Sequence, residues 1–588
     1  MSNLNPPADG QKLQIPWARP LKSKVLFVLF ITLIYFGIAS LFTYPLITNL
    51  DKGIYGYKGD NMLYIHDIWV WSENNNVDLG EIKYSKISTQ PILDKSAVLL
   101  AKAVDSPLLS YNILILFSFV STGVLTFLAA FKITKNYLAA FFAGLIFSFS
   151  PYHLRHSQNH LEIAQIEVIP FYFLYLYNFA KSLTRKRAFV AGLALAITTL
   201  TVNYYGFFLG ILTAVYILYN EISKRFRGFK KRLLSYLILA FTAVGLTIGC
   251  NVNYIKIASQ NKNLDEYTWK AIGKTDLDYI KYAAKPWLYI LPDIENPAMG
   301  QFSKNILIKI AQNTPYYLTR EFTANEHTLY LGLASIFLSI IALKFKPKTA
   351  KRLLLLAIIF VLISLPPYIF ISMKKVILPS FFLMKIFPMF RVYARAGVIT
   401  LFLVSLSSAI GLAILTSNHR KKLRTLLVTL TVGVLVISEF YTVPKFEKLL
   451  PLPPEYSSTK IANAKTILES PKLEDHTNAF YQIYHQKPVY FIRINSRNRI
   501  DENDLEAQIN LREKPMAIIF RGSYQQIFSD HKLNEMGIDL QSGKKHEWDG
   551  FSQEHISWLN ENGDIIRNRR DNEKILEYGE TLLFFHNK

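Results

Sequence analysis

The chain has very little cysteine and lacks several common catalytic motifs. Cys250 is its single cysteine, which excludes an intramolecular disulfide and any zinc site built on several thiolates. The sequence contains no Gly-x4-Gly-Lys-Ser/Thr loop, no Gly-x-Gly-x-x-Gly turn after a strand and no Gly-x-Ser-x-Gly elbow. These motifs cradle phosphates or expose a nucleophile. We therefore expect an activated donor or energy to come from elsewhere, such as a lipid-linked substrate or an ion gradient.

Apolar side chains and positive charge are both abundant. Of the 588 residues, 51% are hydrophobic and 14% are aromatic, and 66 Lys and Arg outnumber 43 Asp and Glu to give a net charge of +23. The mean hydropathy is +0.19. Apolar and basic residues in these amounts indicate alternating apolar spans and charged segments. The length exceeds one ordinary domain, so we expect at least two folding units.

Eleven stretches are apolar enough to cross a bilayer, for which roughly 20 residues are needed. The first lacks a small-x-small cleavage site, because Tyr44-Pro45 stands there, and is expected to be a retained anchor. The sequence thus predicts an α-helical polytopic membrane protein in the plasma membrane. The stretches are 25–46, 109–131, 137–150, 163–180, 188–203, 204–220, 233–250, 328–343, 353–372, 397–416 and 425–441.

Basic segments occupy every second gap between these stretches. The positive-inside rule places them, with the N-terminal tail 1–24, in the cytoplasm. Together with the tail, and with Glu221 counted beside the third of them, these segments carry a net charge of +23, the net charge of the whole chain. The charge therefore records topology, and we expect no nucleic-acid partner. An odd number of spans places residues 442–588 outside. The basic segments are 132–135, 181–187, 224–232, 344–352 and 420–424.

The last 147 residues, 442–588, have a different pattern from the rest of the 588-residue chain. A proline-rich linker at 450–454 precedes alternating helix-like and strand-like segments. This predicts a small extracytoplasmic α/β domain after a membrane domain at 25–441, which carries long outward loops at 47–108 and 251–327. The expected helix is 457–468, and the expected strands are 479–484, 489–494, 517–520 and 581–585.

The first outward loop offers a candidate base. Read as a helix, it places Asp60, Tyr64, Asp67 and Trp71 on one face. A carboxylate held at the membrane surface could deprotonate a hydroxyl acceptor. The alternative is that Asp60 only caps a solvated helix.

A histidine-rich segment follows the third apolar stretch. If residues 150–167 are helical, His153, His156 and His160 share one face, with Glu162 nearby. His156 and His160 could then bind a divalent metal, a phosphate or a polar substrate, or have structural roles. Glu167 would lie inside an apolar stretch, where an ionisable group is normally functional.

Two further sets of charged residues stand at the outer boundary of apolar stretches. Glu326 precedes the eighth stretch, where it either contacts substrate or complements a helix dipole. Arg391 and Arg395 precede the tenth stretch at a spacing of i, i+4, against the positive-inside trend. Two such guanidinium groups could hold a phosphate or pyrophosphate, or extend their charges into the interface.

An ordered set of short segments resembles one family of membrane enzymes. The segments are Gly59-Asp60 with Trp69-Val70-Trp71, 107–112, 147–153 with His156 and His160, 276–279 with Pro286 and Asn296-Pro297, Glu326 with 330–332, 391–395, and 481–488. Over nearly the whole chain this set is similar to bacterial multi-pass GT-C glycosyltransferases, akin to the YfhO-like and protein-mannosyltransferase-like groups.

The resemblance implies a sugar donor linked to polyprenyl phosphate and transfer outside the cytoplasm. Members of this family are expected to use an acidic residue of the first outward loop as base, and Asp60 stands at the matching position. A divalent metal is often used in this family. Here Asp60 is followed by Asn61-Met62, so the Asp-x-Asp metal motif is missing and the need for a metal stays open.

Our hypothesis from the sequence is an inverting sugar transfer onto an extracytoplasmic glycan, lipid or protein. Asp60 acts as general base with Glu326 as a second catalytic residue, while Arg391 and Arg395 stabilise the phosphate that leaves. The remaining candidates for substrate binding are Asp67, His153, His156, His160 and Glu162.

Two alternatives come from other classes of protein. A transporter or flippase would fit a broken helix near Pro366-Pro367 and an acidic group at Glu167. A non-catalytic envelope assembly factor would use residues 442–588 as its working part.

Overall fold

The polypeptide folds into a helical bundle followed by a mixed sheet. Most of the chain is helical, and the strands form small sheets. The computed structural model describes residues 21–74, 76–82, 88–260, 276–315, 318, 323–371, 374–417, 422–457, 459–470, 472, 476–493, 502–521, 563–568 and 581–586.

Several helices of the amino-terminal half begin at side-chain caps. The Ser106, Asn136 and Thr184 side chains accept hydrogen bonds from the first turns of α4, α5 and α9, which satisfies donors that a helix start leaves unpaired. Up to residue 260 the helices are α1 (Leu21–Phe42), α2 (Asp60–Ser72), α3 (Pro91–Val104), α4 (Pro107–Thr134), α5 (Tyr137–Ser148), α6 (Pro151–His156), α7 (Leu161–Ala164), α8 (Val168–Lys181), α9 (Arg185–Thr201), α10 (Asn203–Ser223), α11 (Phe229–Cys250) and α12 (Val252–Gln260).

The second half of the bundle is built around α18, in which nearly every residue is buried. Gly411 of α18 lies so close to the backbone of Leu338 in α15 that a Cβ would not fit, a small-residue contact common between membrane helices. The remaining helices are α13 (Asp276–Lys281), α14 (Gly300–Asn313), α15 (Leu333–Phe345), α16 (Pro347–Ser364), α17 (Pro379–Ile386), α18 (Gly397–Leu415), α19 (Lys422–Phe440), α20 (Pro454–Ser457), α21 (Thr459–Asn463), α22 (Thr477–His485) and α23 (Glu502–Leu511).

The predicted membrane class is confirmed. Among the described residues, seven helices are long and apolar enough to cross a membrane. Each of the other four predicted stretches also coincides with a helix, namely α8, α9, α15 and α16. The count of eleven spans and the orientation of the termini stay predictions. The stretches 188–203 and 204–220 correspond to two separate helices, α9 and α10, with only Val202 between them.

The carboxyl-terminal region is an α/β unit, as predicted. Its five-stranded sheet has the order β6-β5-β7-β9-β8, with β5 parallel to β6 and β7, and β9 antiparallel to β7 and β8. The predicted strand 479–484 is wrong, because α22 connects β5 to β6 there. The predicted helix 457–468 contains α21 but ends in β5. The strands are β1 (Gly53–Tyr55), β2 (Tyr368–Ile371), β3 (Lys374–Ile377), β4 (Phe446–Lys448), β5 (Thr466–Ser470), β6 (Val489–Phe491), β7 (Met516–Arg521), β8 (Gly563–Asn568) and β9 (Thr581–His586).

Candidate functional site

Five ionisable side chains from separate segments form one continuous row, which we call the ionisable row. His160 Nε2 lies 3.2 Å from Asp60 Oδ2. The rings of His160 and His156 follow, with centroids 5.8 Å apart. His156 Nε2 then lies 3.8 Å from Glu326 Oε2, and Arg395 Nη2 lies 2.5 Å from Glu326 Oε1. The row brings together five of the residues predicted from sequence.

Asp60 reaches His160 because the loop before α2 runs tightly along the histidine-rich segment. Gly56 has a φ of +111°, and a Cβ there would collide with the backbone of Gln158. The Asn61 side chain donates to the carbonyls of Tyr57 (2.7 Å) and Gln158 (3.2 Å). Only glycine adopts this backbone and permits so close an approach without strain. The first residue of α2 therefore faces His160.

The prediction that three histidines share one helical face is wrong. Helix α6 ends at His156, and His160 has an extended backbone before α7. His153 Nδ1 lies 2.7 Å from the carbonyl oxygen of Ser148, and its Nε2 lies 3.0 Å from Ser118 Oγ. Both ring nitrogens thus have partners within the bundle, unlike those of His156. The helix break turns His160 towards Asp60 instead.

Asp60 and His160 stabilise each other's charged forms. The Asp60 side chain is 67% exposed, whereas that of His160 is only 17% exposed. The hydrogen bond from His160 is the main cause that lowers the pKa of Asp60. Burial would lower the pKa of His160, but the hydrogen bond to Asp60 and the charge of Glu162 outweigh it and raise that pKa. Asp60 is therefore an accessible carboxylate that stays ionised.

His156 is buried in the middle of the row without a hydrogen bond. Its ring lies against Tyr152, with centroids 4.3 Å apart. Neither ring nitrogen has a hydrogen-bond partner in the part of the chain that the structure describes. A buried polar group without a partner costs about 1–3 kcal/mol. A hydroxyl group of a bound ligand between His156 and Glu326 would remove that cost.

Glu326 and Arg395 form a buried ion pair. Arg395 Nε lies 3.1 Å from both carboxylate oxygens of Glu326, and the guanidinium lies over the ring of Tyr204, 4.6 Å from its centroid. Burial alone would raise the pKa of Glu326, but the charge of Arg395 outweighs it and holds that pKa well below its ordinary value. Glu326 is therefore a fixed hydrogen-bond acceptor.

The predicted guanidinium pair on one helical face does not form. Residues 391–392 are not helical, and Tyr393–Ala396 is a 3-10 turn before α18. Arg391 lies over Tyr282, 5.3 Å from the ring centroid. Among the described residues, no carboxylate lies within ion-pair distance of Arg391. Arg395 is neutralised by Glu326, whereas Arg391 keeps its charge available to a ligand.

The predicted site residues Asp67 and Glu162 have different surroundings. Asp67 is buried on α2, with Oδ1 4.0 Å from His66 Nδ1. Glu162 is half-buried, and its charge raises the pKa of both His160 and Asp94. Asp94 also accepts a 2.5 Å hydrogen bond from Tyr64. The predicted face of α2 is thus divided: Asp60 is exposed at its start, and Asp67 packs inwards.

Beside His156 lies a set of ion pairs centred on Arg155, here called the arginine clamp, which the sequence does not predict. Arg155 is buried, with Nε 2.6 Å from Asp293 Oδ2 and Nη1 2.9 Å from Glu295 Oε2. The Tyr57 hydroxyl donates to Glu295 over 3.2 Å. The clamp braces the loop that leads to Asp60. An arginine amid the histidines was a visible signal, but nothing local indicated its acidic partners.

Metal binding stays open. Among the residues that the structure describes, no group of three or more His, Cys, Asp or Glu is arranged to hold a metal ion. His156 and His160 face different carboxylates along the row. The two-histidine metal site therefore stays a prediction.

Comparison with known proteins finds distant structural likenesses. No protein-family model matches the chain, and no curated protein sequence matches it. Among solved structures, ArnT from Cupriavidus metallidurans bound to undecaprenyl phosphate has a TM-score of 0.40 at 12% identity, over 96% of this chain and 98% of that chain. ArnT from the same organism in the apo state has a TM-score of 0.39 at 12% identity, with the same coverage.

Proposed function

We propose that this protein is a membrane glycosyltransferase. It transfers a sugar from a polyprenyl-phosphate donor to a hydroxyl group of an extracytoplasmic acceptor, with Asp60 as general base. The observation that carries the proposal is the accessible Asp60 carboxylate, held ionised by His160 at the open end of a buried row of charged groups. A base must reach the proton it removes, and Asp60 is the exposed member of the row.

The reaction is a single displacement at the anomeric carbon. The acceptor oxygen forms a bond to that carbon while its proton passes to Asp60. The bond between the anomeric carbon and the phosphate oxygen breaks, and its electron pair leaves with the polyprenyl phosphate. Attack opposite the leaving group inverts the anomeric configuration. His160 stabilises Asp60 as the carboxylate before the proton is transferred.

The two ends of the donor contact different residues. Arg391 binds the phosphate, since its charge is not neutralised by a described carboxylate and a guanidinium matches phosphate geometry. Glu326 and His156 bind sugar hydroxyl groups, with Glu326 as acceptor and His156 supplying the unused ring nitrogens. Arg395 holds Glu326 in place rather than contacting the phosphate.

A transporter is a second candidate, favoured by one observation. Glu167 is only 7% exposed, and its Oε2 atom has no hydrogen-bond partner among the described residues. A buried carboxyl group at the edge of an apolar helix is typical of substrate or proton pathways. The ionisable row does not require Glu167, so the two functions depend on different residues.

Release of labelled sugar from its lipid tests the proposed function. Membranes containing the full-length protein are incubated with labelled polyprenyl-phosphate sugars, and label that leaves the lipid is measured. Asp60→Asn should abolish transfer without changing the amount of protein in the membrane. Asp51→Asn removes an exposed carboxylate from the same loop and should leave transfer unchanged. Full activity in Asp60→Asn would overturn the assignment of the base.

A further inference from the structure

The carboxyl-terminal region, residues 442–588, contacts the chain on both sides of α2, the helix that begins at Asp60. Before α2, β1 pairs antiparallel with β4. After α2, Gly80 forms a parallel bridge with Val489 of β6, and the Glu81 amide donates to the Val489 carbonyl over 2.7 Å. The 79–81 segment thus continues the sheet beyond its edge strand, as in strand addition between proteins.

Gln482 of α22 lies at the centre of this contact. It is fully buried, and its Oε1 lies 2.9 Å from His66 Nε2 in α2. Its Nε2 donates to the carbonyl of Leu79 at 3.2 Å and to that of Lys487 at 2.9 Å. These two acceptors fix the orientation of the amide, so the proton of the remaining bond belongs to His66 Nε2. One side chain therefore joins α2, the 79–81 segment and the turn between α22 and β6.

The two helices joined by Gln482 pack against each other. The same number of residues separates Asp60 from His66 in α2 as separates His476 from Gln482 in α22. His160 is the main cause of the lowered pKa of Asp60, and the charge of His476 contributes to it. The start of α22 therefore lies within electrostatic reach of Asp60.

We propose that the carboxyl-terminal region holds α2 in the position that the site requires. Gln482 is then a positioning residue for Asp60, acting through His66. Without the three hydrogen bonds of Gln482, α2 keeps its helical structure but loses its fixed placement. Asp60 then no longer faces His160 at a constant distance. This inference rests on the proposed function only for its effect on catalysis, because the docking of α2 is a property of the folded chain.

Hydrogen exchange tests the docking without any assay of activity. The full-length protein in lipid nanodiscs is compared with Gln482→Met, which keeps the volume of the side chain and removes its hydrogen bonds. We expect amides of α2 to exchange roughly fivefold faster or more in this variant, the effect of about one lost buried hydrogen bond. Lys465→Ala, at an exposed position of the same region, is the control and should change nothing in α2. Unchanged exchange of α2 in Gln482→Met would overturn the proposal.

Kinetics test the role of Gln482 in catalysis. Since Gln482 is fully buried and lies outside the ionisable row, Gln482→Met should lower kcat at least about tenfold and leave the KM for the lipid donor unchanged. His66→Ala should have a similar effect, and the double variant should be no worse than the worse single variant. A wild-type kcat in Gln482→Met, with Asp60→Asn inactive, sinks this proposal but not the proposed function. Absence of transfer in the wild type sinks the proposed function, and hydrogen exchange still decides the docking.

Discussion

The Nε2 atom of His160 lies 3.2 Å from the Oδ2 atom of Asp60, so that the start of α2 faces the start of α7. The exposed carboxylate is the open end of the ionisable row, and the buried ion pair of Glu326 and Arg395 is its closed end. At the open end, the hydrogen bond from His160 lowers the pKa of an exposed carboxylate. At the closed end charge is neutralised, and Glu326 is fixed in one geometry.

Removing His160 should shift the pH dependence of transfer. His160 lowers the pKa of Asp60, and the reaction needs the carboxylate, so activity is present above that pKa and is lost as the pH falls through it. His160→Ala raises the pKa of Asp60, and the acidic limb of the pH–rate profile should therefore move to higher pH. The profile of kcat/KM for the wild type, His160→Ala and Asp51→Asn measures this shift. An unmoved acidic limb in His160→Ala would show that His160 does not tune the base.

Breaking the ion pair of the closed end should cost stability. Glu326→Gln leaves the buried Arg395 charge without its carboxylate, and such a loss typically costs about 3–5 kcal/mol. The double variant Glu326→Leu with Arg395→Met removes both charges and should recover most of the loss. Thermal unfolding in detergent measures stability, and transfer activity is measured in parallel. The double variant should stay inactive, because the acceptor for sugar hydroxyl groups is gone; recovered activity would contradict the role of Glu326.

A methyl group at Gly56 should disturb the placement of Asp60. Alanine at this position would need a φ of +111° and would place its Cβ against the Gln158 backbone, a strain of roughly 1–3 kcal/mol. We expect Gly56→Ala to lower transfer strongly while the protein still accumulates in the membrane. Gly37→Ala in α1 is the matched control, because no atom lies within 4 Å of a Cβ there. Equal activities of the two variants would show that transfer does not need the close approach of Gly56 to the Gln158 backbone.

Arg391 should determine affinity for the phosphate of the donor. Arg391→Ala is expected to raise the KM for the lipid donor about tenfold or more, since a charge-assisted hydrogen bond to phosphate contributes about 1.5–3 kcal/mol. Arg391→Lys keeps the charge but loses the planar geometry, and should lie between wild type and Arg391→Ala. Steady-state kinetics against donor concentration measure the effect. A changed kcat with an unchanged KM would assign Arg391 another role.

The sequence predicts the helices and the members of the row better than it predicts their partners. Apolar runs and cap residues act locally, so the helical class and the candidates Asp60 and Glu326 follow from pattern and position. Contacts between distant segments have no such local signal. The pattern of histidines predicts one helical face because it carries no signal for the helix break after His156, and no local pattern indicates that Gln482 contacts α2.

Glu167 offers a direct comparison between the two candidate functions. Its carboxyl group is buried at the start of α8, and Gln has nearly the same shape without the charge. If the protein transfers sugar, Glu167→Gln should release label from the lipid at a rate within about twofold of the wild-type rate, because the substitution creates no cavity. Asp60→Asn should then be inactive. If the protein is a transporter, the pattern is reversed: Glu167→Gln abolishes substrate flux into sealed vesicles, while Asp60→Asn retains it. Measuring both variants in both assays assigns the function, because neither carboxyl group is a partner of the other among the described contacts.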